Sequence, residues 1–188
     1  MRKQKGFSLI ELLIVVAIIL IIAAIAIPNL LRAKISANEA SAVGSVRNIV
    51  TGAASYQAMF PEYNFPLQLQ QMGQNGGPNC PNGPDPTLGG CFLDSVLGGS
   101  ANTLKSGFYF NFHGDSAQPA DANGVVAYTG FTITADPSTY NQSGVRTFCA
   151  GDDGVMRQSP NPTKVQGAGV DFDVWSANCI AAPWTVQQ

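Results

Sequence analysis

The stretch Lys5-Gly6-Phe7-Ser8-Leu9-Ile10-Glu11-Leu12-Leu13 opens an apolar run that continues to Leu31, and from Leu12 to Ile27 it contains no polar side chain. As an α-helix, the 25 residues from Phe7 to Leu31 would extend roughly 37 Å, enough to cross a bilayer core of about 30 Å. Three basic residues, Arg2, Lys3 and Lys5, precede the run and favour a cytoplasmic start. A secretory signal peptide would use the same basic start, and Ala24-Ile25-Ala26 supplies a cleavage site for one. The run is long for that purpose. Glu11 is a carboxylate just inside it, costly in an apolar medium unless partnered, and a signal peptide has no use for it.

Outward from this run the chain changes character. Of its 188 residues, 45% are hydrophobic and 12% charged, a balance that excludes a disordered polyelectrolyte. Without residues 1–6 the chain carries seven basic against twelve acidic side chains, a balance of −5, which speaks against a nucleic-acid-binding surface. The sequence reads as one membrane-type segment followed by one domain of ordinary size.

Residues 5–13 resemble the prepilin peptidase recognition sequence of type IV pilins and type II secretion pseudopilins. The resemblance implies cleavage between Gly6 and Phe7 on the cytoplasmic side, N-methylation of Phe7, and a role in assembly for Glu11, the fifth residue after the cut. Pro28, twenty-second after the cut, matches a helix-kinking proline of that family. Physical reasons accompany each position. Gly6 presents no side chain to a protease approaching the backbone. Glu11 can be offset by the α-amino group of Phe7 on a neighbouring subunit when such helices bundle. Pro28 lacks the N–H for the helix ladder and crowds the preceding turn, so it kinks the helix or ends its regular part.

Beyond Pro28, Ile35, Ala42, Val46, Ile49, Ala53, Tyr56 and Phe60 recur at helical spacing as one apolar stripe. Arg32, Lys34, Asn38, Glu39, Ser45, Arg47 and Asn48 are expected to face solvent or neighbouring subunits, with Gly44 and Gly52 as weak points. Pro61 stops the helix. A span from Phe7 to about Phe60 is roughly 80 Å if straight, far more than a compact domain needs.

The expected organisation is a leader at 1–6, a membrane or filament-core helix at 7–31, its amphipathic continuation at 32–60, a Gly/Pro-rich loop region at 61–106, and an antiparallel sheet with a C-terminal tail at 107–188. Residues 73–99 hold eight glycines and four prolines. Strand-like runs follow at 107–112, 125–135, 145–150 and 155–158, the last two joined by a Gly151-Asp152-Asp153-Gly154 turn. The fold class is α+β, a long helix packed on about four antiparallel strands, an order that also resembles pilin-like folds. Ser143 to Arg157 looks like the C-terminal hairpin of many prepilin-type sequences.

Four cysteines in an exported domain favour disulfides, and three connectivities are possible. Cys80 with Cys91 and Cys149 with Cys179 is preferred, each pair being nearest in sequence. No C-x-x-C spacing supports a metal site. Asp152, Asp153, Asp171 and Asp173 lack EF-hand spacing and read as turn and surface acids, so no metal ligand is assigned. His113 is the only histidine, and no nucleophile elbow, P-loop or dinucleotide fingerprint is present, so neither an enzyme nor a cofactor is expected. Asn141-Gln142-Ser143 fits a glycosylation sequon that is common by chance.

The resemblance therefore implies a structural subunit: an inner-membrane precursor, single-pass with a cytoplasmic N-terminus, cut by prepilin peptidase and polymerised with identical copies by the assembly machinery into an extracellular pilus. A pseudopilin building a periplasmic pseudopilus is the alternative. A third reading, a membrane-anchored or secreted β-domain that binds a ligand, predicts cleavage after Ala26 or none.

Overall fold

The computed structural model describes residues 7–75, 80–120, 126–159, 179 and 185–186. The leader with Gly6, and the acids Asp171 and Asp173, lie outside the described residues.

One helix, α1 (Leu9–Met59, 51 residues), dominates the molecule. At 1.5 Å per residue it is about 76 Å long. It closes where the Phe60 N–H bonds the Tyr56 carbonyl at 2.8 Å, just before Pro61. Its two halves have different partners. Residues 9–34 touch almost nothing, whereas Ala42, Val46, Ile49, Ala53 and Tyr56 are fully buried. These small and branched side chains let the helix settle closely on a layer of Phe108, Phe110, Phe112, Phe131, Ile133, Ala135 and Phe148. Burial of that aromatic surface is the main stabilisation of the head.

Among the described residues the sheet has six antiparallel strands in chain order: β1 (Asn102–Lys105), β2 (Phe108–Ala117), β3 (Tyr128–Pro137), β4 (Thr147–Gly151), β5 (Arg157–Ser159) and β6 (Thr185–Val186). Six strands replace the expected four. β1 falls inside the stretch read as loop, and β6 in the tail. Both are short edges with little hydrophobic alternation, so their ladder partners rather than their own composition define them. The turn after Gly151 forms as expected: the Gly154 N–H bonds the Gly151 carbonyl at 3.0 Å, and Gly154 takes φ +68°, where glycine is unstrained.

The loop region is built rather than idle. A 3-10 turn (Leu69–Met72) buries Leu69 and Met72 in the core beside Leu93 and Leu97. Asp85 caps its own turn, accepting from the Thr87 and Leu88 N–H groups at 2.8 Å, and the Asp94 carboxylate does the same for Val96 and Leu97. Gly73 and Gly98 meet backbone to backbone, where a Cβ on Gly73 would lie 2.1 Å from the Gly98 carbonyl oxygen. Gly52 is a docking point: its Cβ would meet Leu93 at 3.3 Å, so its absence lets the loop lie against the helix. The Tyr56 hydroxyl donates to the Pro86 carbonyl at 2.7 Å. Cys80 is bonded to Cys91, with Cα atoms 6.0 Å apart, and closes this region.

On the sheet face away from α1, Thr132, Thr134, Asp136, Thr147 and Cys149 alternate with the helix-facing residues and are also buried. Cys149 is bonded to Cys179 there, Cα to Cα 5.9 Å, which ties the C-terminal part of the chain to that face. Burial pushes the Asp136 carboxyl up to about 6, against the opposing pull of the neighbouring Thr147 and Thr134 hydroxyls. An acid whose folded value is raised destabilises the fold above that value, and the penalty is relieved as pH falls from about 6 to about 4. At pH 7 it amounts to about 3 kcal/mol. Asp136→Asn is therefore expected to raise the melting temperature at pH 7 and to leave it nearly unchanged at pH 4, as thermal unfolding at the two values will show.

Candidate functional site

The feature left unsatisfied by the fold is the first half of α1. Phe7 is 82% exposed, and from Leu9 to Leu31 every large apolar side chain stands in the open. The most apolar 18-residue window in α1 has a mean hydropathy of 3.3. This length and composition suit a bilayer or a bundle of like helices and cannot be stable in water.

Glu11 sits at the start of this surface, in the first turn of α1. Its Oε2 accepts the Ser8 backbone N–H at 2.9 Å. The helix leaves its first N–H groups without intrahelical partners and carries a partial positive charge there, so the carboxylate is held by its own helix. That bond lowers the cost of keeping a charge at the edge of an apolar run in the single subunit. α1 passes through Pro28 without interruption. The proline ring removes one ladder donor, so the carbonyl of Ala24 four residues earlier has no N–H from that position.

A second charged element lies where α1 meets the sheet, and it corrects the expectation that Glu39 and Ser45 face outward. Both are buried. Glu39 Oε1 accepts the backbone N–H groups of Val145 and Arg146 at 2.9 and 3.1 Å. Glu39 Oε2 takes Arg146 Nε at 2.8 Å and Nη2 at 2.6 Å, and Arg146 Nη1 reaches Gln158 Oε1 at 3.0 Å. The guanidinium also lies 5.7 Å from the Phe148 ring centre. Next to it, Asn38 Nδ2 donates to the Ser143 carbonyl at 3.0 Å. One helix turn thus holds the entry to β4, four bonds converging on one carboxylate. The spacing of the apolar stripe carried the signal, since Glu39 falls between Ile35 and Ala42 on the same face.

The remaining acids are dispersed. Asp153 is bound to Arg157 at 2.5 Å, which holds its carboxyl below the usual range, while Asp152 is exposed. Among the described residues no three His, Cys, Asp or Glu side chains converge as a metal would need. His113 stands on β2 opposite Thr132. Asn141 is exposed in a turn with φ +62°, and the Ser143 hydroxyl of its sequon donates to the Thr139 carbonyl at 2.9 Å.

An open, membrane-length helix with a carboxylate in its first turn, continuing without a break onto an antiparallel sheet, is a pilin-like α+β architecture. Comparison with known proteins agrees. The family described as "Prokaryotic N-terminal methylation motif" matches residues 1–27. The chain is 51% identical over 57 residues to the type IV wide pilus major component PilA4 of Thermus thermophilus, covering 30% of this chain and 44% of that protein. It is 43% identical over 54 residues to the type IV major pilin protein PilA of Myxococcus xanthus, covering 29% of this chain and 24% of that one. The matched part thus spans less than half the length of either relative. No solved structure matches the chain. The likeness to type IV pilins is carried by the N-terminal third of the chain.

Proposed function

We propose that this chain is the structural subunit of a type IV pilus-like surface filament, made as an inner-membrane precursor and polymerised through the first half of α1. The observation that carries the reading is the uncovered apolar surface from Phe7 to Leu31, most of which lies within the matched methylation motif. In the membrane, lipid covers it; in a filament, neighbouring copies of the same helix cover it by close packing. Cleavage after Gly6 creates a new α-amino group on Phe7, N-methylated and still cationic, at the end of the helix. In the staggered bundle that cation meets Glu11 of an adjacent copy, and the mutual charge sets axial register. Pro28 provides the place where the helix can bend or loosen during extraction from the bilayer. Prepilin peptidase and the inner-membrane assembly machinery are the expected partners. Both relatives are named as major pilus components, which favours a pilus over a periplasmic pseudopilus.

The test is the intact mass and N-terminal peptide of the protein in material sheared from cell surfaces. A chain that begins at Phe7 and is heavier by about 14 Da, the mass that replacing N–H by N–CH3 adds, is expected. A chain that begins at Ile27, or an uncut Met1 form confined to membranes, overturns the reading.

A further inference from the structure

When the charges beyond the apolar run are paired off, the remainder is not scattered. Three ion pairs form among the described residues: Lys105 with Asp94 at 3.6 Å, Arg146 with Glu39 at 2.6 Å, and Arg157 with Asp153 at 2.5 Å. The described cations left over are Arg32, Lys34 and Arg47, all exposed and all on α1. Among the described residues, the surface carboxylates left without an ion pair are Glu62, Asp85, Asp115 and Asp152, all on the head.

Arg32 and Lys34 lie at the near end of the head and Arg47 about midway along its helix, whereas the carboxylates lie at the far end. Arg32 and Lys34 precede the first bond between helix and head, at Asn38. Glu62 follows the far end of α1. Asp115 pairs with Gly130 near the end of the ladder where Phe65 bonds Tyr128, so it too is at the far end. Asp152 flanks that same Gly130, its Oδ2 3.4 Å from the point a Cβ there would occupy. Asp85 adjoins Pro86, which takes the Tyr56 hydroxyl near the helix end. From Arg32 to Phe60 the helix rises about 42 Å. Among the described residues no ion pair offsets either set.

Copies inserted in one membrane all point the same way, so side-by-side packing in register sets like against like. An axial stagger instead sets the acidic far end of one copy against the basic near half of another, a head-to-tail contact that does not close on itself. Anionic lipid headgroups could engage Arg32 and Lys34, which follow the apolar run directly. They cannot reach Arg47, about 24 Å beyond Leu31 along the helix, because the polar layer on each side of a bilayer is only about 5–8 Å deep. A second copy accounts for all three cations.

Resting on the filament reading above, we propose that Arg32, Lys34 and Arg47 form a docking surface for the acidic far end of a second copy of this chain, centred on Glu62, Asp115 and Asp152. The contact is polar and at the surface, so it steers the incoming subunit and fixes its stagger, while the apolar helix supplies the cohesion.

The test uses full-length protein in its own cells, with filament recovered by shearing as the readout. Arg47→Glu alone, and Glu62→Lys with Asp152→Lys, are each expected to lower the yield by about fivefold or more, and adding Arg32→Glu, Lys34→Glu and Arg47→Glu to the two lysines, which recreates opposite charge across the contact, to restore it to within about twofold. Arg47→Gln serves where the reversal impairs folding, and should show an intermediate loss. Unchanged yield from the separate reversals, or no rescue in the combination, overturns the proposal. A loss of membrane-held precursor from Arg32→Glu with Lys34→Glu, alongside a neutral Arg47→Glu, also overturns it and assigns those cations to lipid headgroups. If the unaltered protein yields no chain starting at Phe7 in the sheared fraction, the filament reading itself fails.

Discussion

Glu39→Ala is expected to lower the melting temperature of the full-length chain in detergent by roughly 10 °C, corresponding to about 3 kcal/mol for a chain of this size. The magnitude follows from what the alanine leaves behind. The Val145 and Arg146 backbone N–H groups lose the acceptor Oε1, and the Arg146 guanidinium loses a carboxylate it holds through two nitrogens. The Arg146 side chain is 40% exposed against 4% for Glu39. Water can therefore take over the arginine but not the two amides, so the amides dominate the cost. Glu39→Gln keeps an acceptor for them and should lose about half as much, whereas Arg146→Ala leaves the carboxylate with its two backbone donors and should fall in the same range. A melting temperature within about 2 °C of the unaltered chain for Glu39→Ala would show that α1 and the sheet are held by the aromatic layer alone.

The same residue shows where legibility stops. Stripe spacing placed Ala42, Val46, Ile49, Ala53 and Tyr56 on one face correctly, because burial of apolar side chains and helical periodicity are one fact seen twice. Glu39 occupies that face too, but a charge reads as solvent-facing until its partners are known, and those partners lie 106 and 107 residues away in sequence. Gly52 was legible as a departure from helix propensity, and only the packed Leu93 gives it a reason. The Phe108, Phe110 and Phe112 alternation declared β2 plainly. β1 carries a single buried residue, Thr103, and β6 none, so their existence depends on ladder pairing that no local pattern encodes. At the N-terminus the reverse holds: the apolar run and Glu11 are local features, and the motif was readable from nine consecutive residues.

Glu11→Val is expected to leave cleavage and N-methylation largely intact but to impair filament assembly, with processed subunit accumulating in the inner membrane. Removing one partner of a buried ion pair costs about 3 kcal/mol or more, a factor of 100 or so in each subunit contact, and that loss recurs at every step of growth. The structure adds a competing explanation, since Glu11 also accepts the Ser8 N–H at the start of its own helix. Loss of such a cap costs about 1 kcal/mol and weakens the first turn of every subunit, assembled or not. Glu11→Gln separates the two roles. Its amide oxygen can still accept the Ser8 N–H, but it offers no charge to the Phe7 amine of a neighbour. If charge pairing governs assembly, the glutamine variant fails as completely as the valine one, and circular dichroism of both in detergent shows the helix of the glutamine variant undiminished. If the cap is what matters, the glutamine variant forms filaments at near-normal yield, and axial register must then come from the polar contact between the near and far ends of successive heads. Under the processing proposed above, which places the cut between Gly6 and Phe7, both variants should reach the same mature N-terminus, which makes a difference in filament yield a statement about assembly alone.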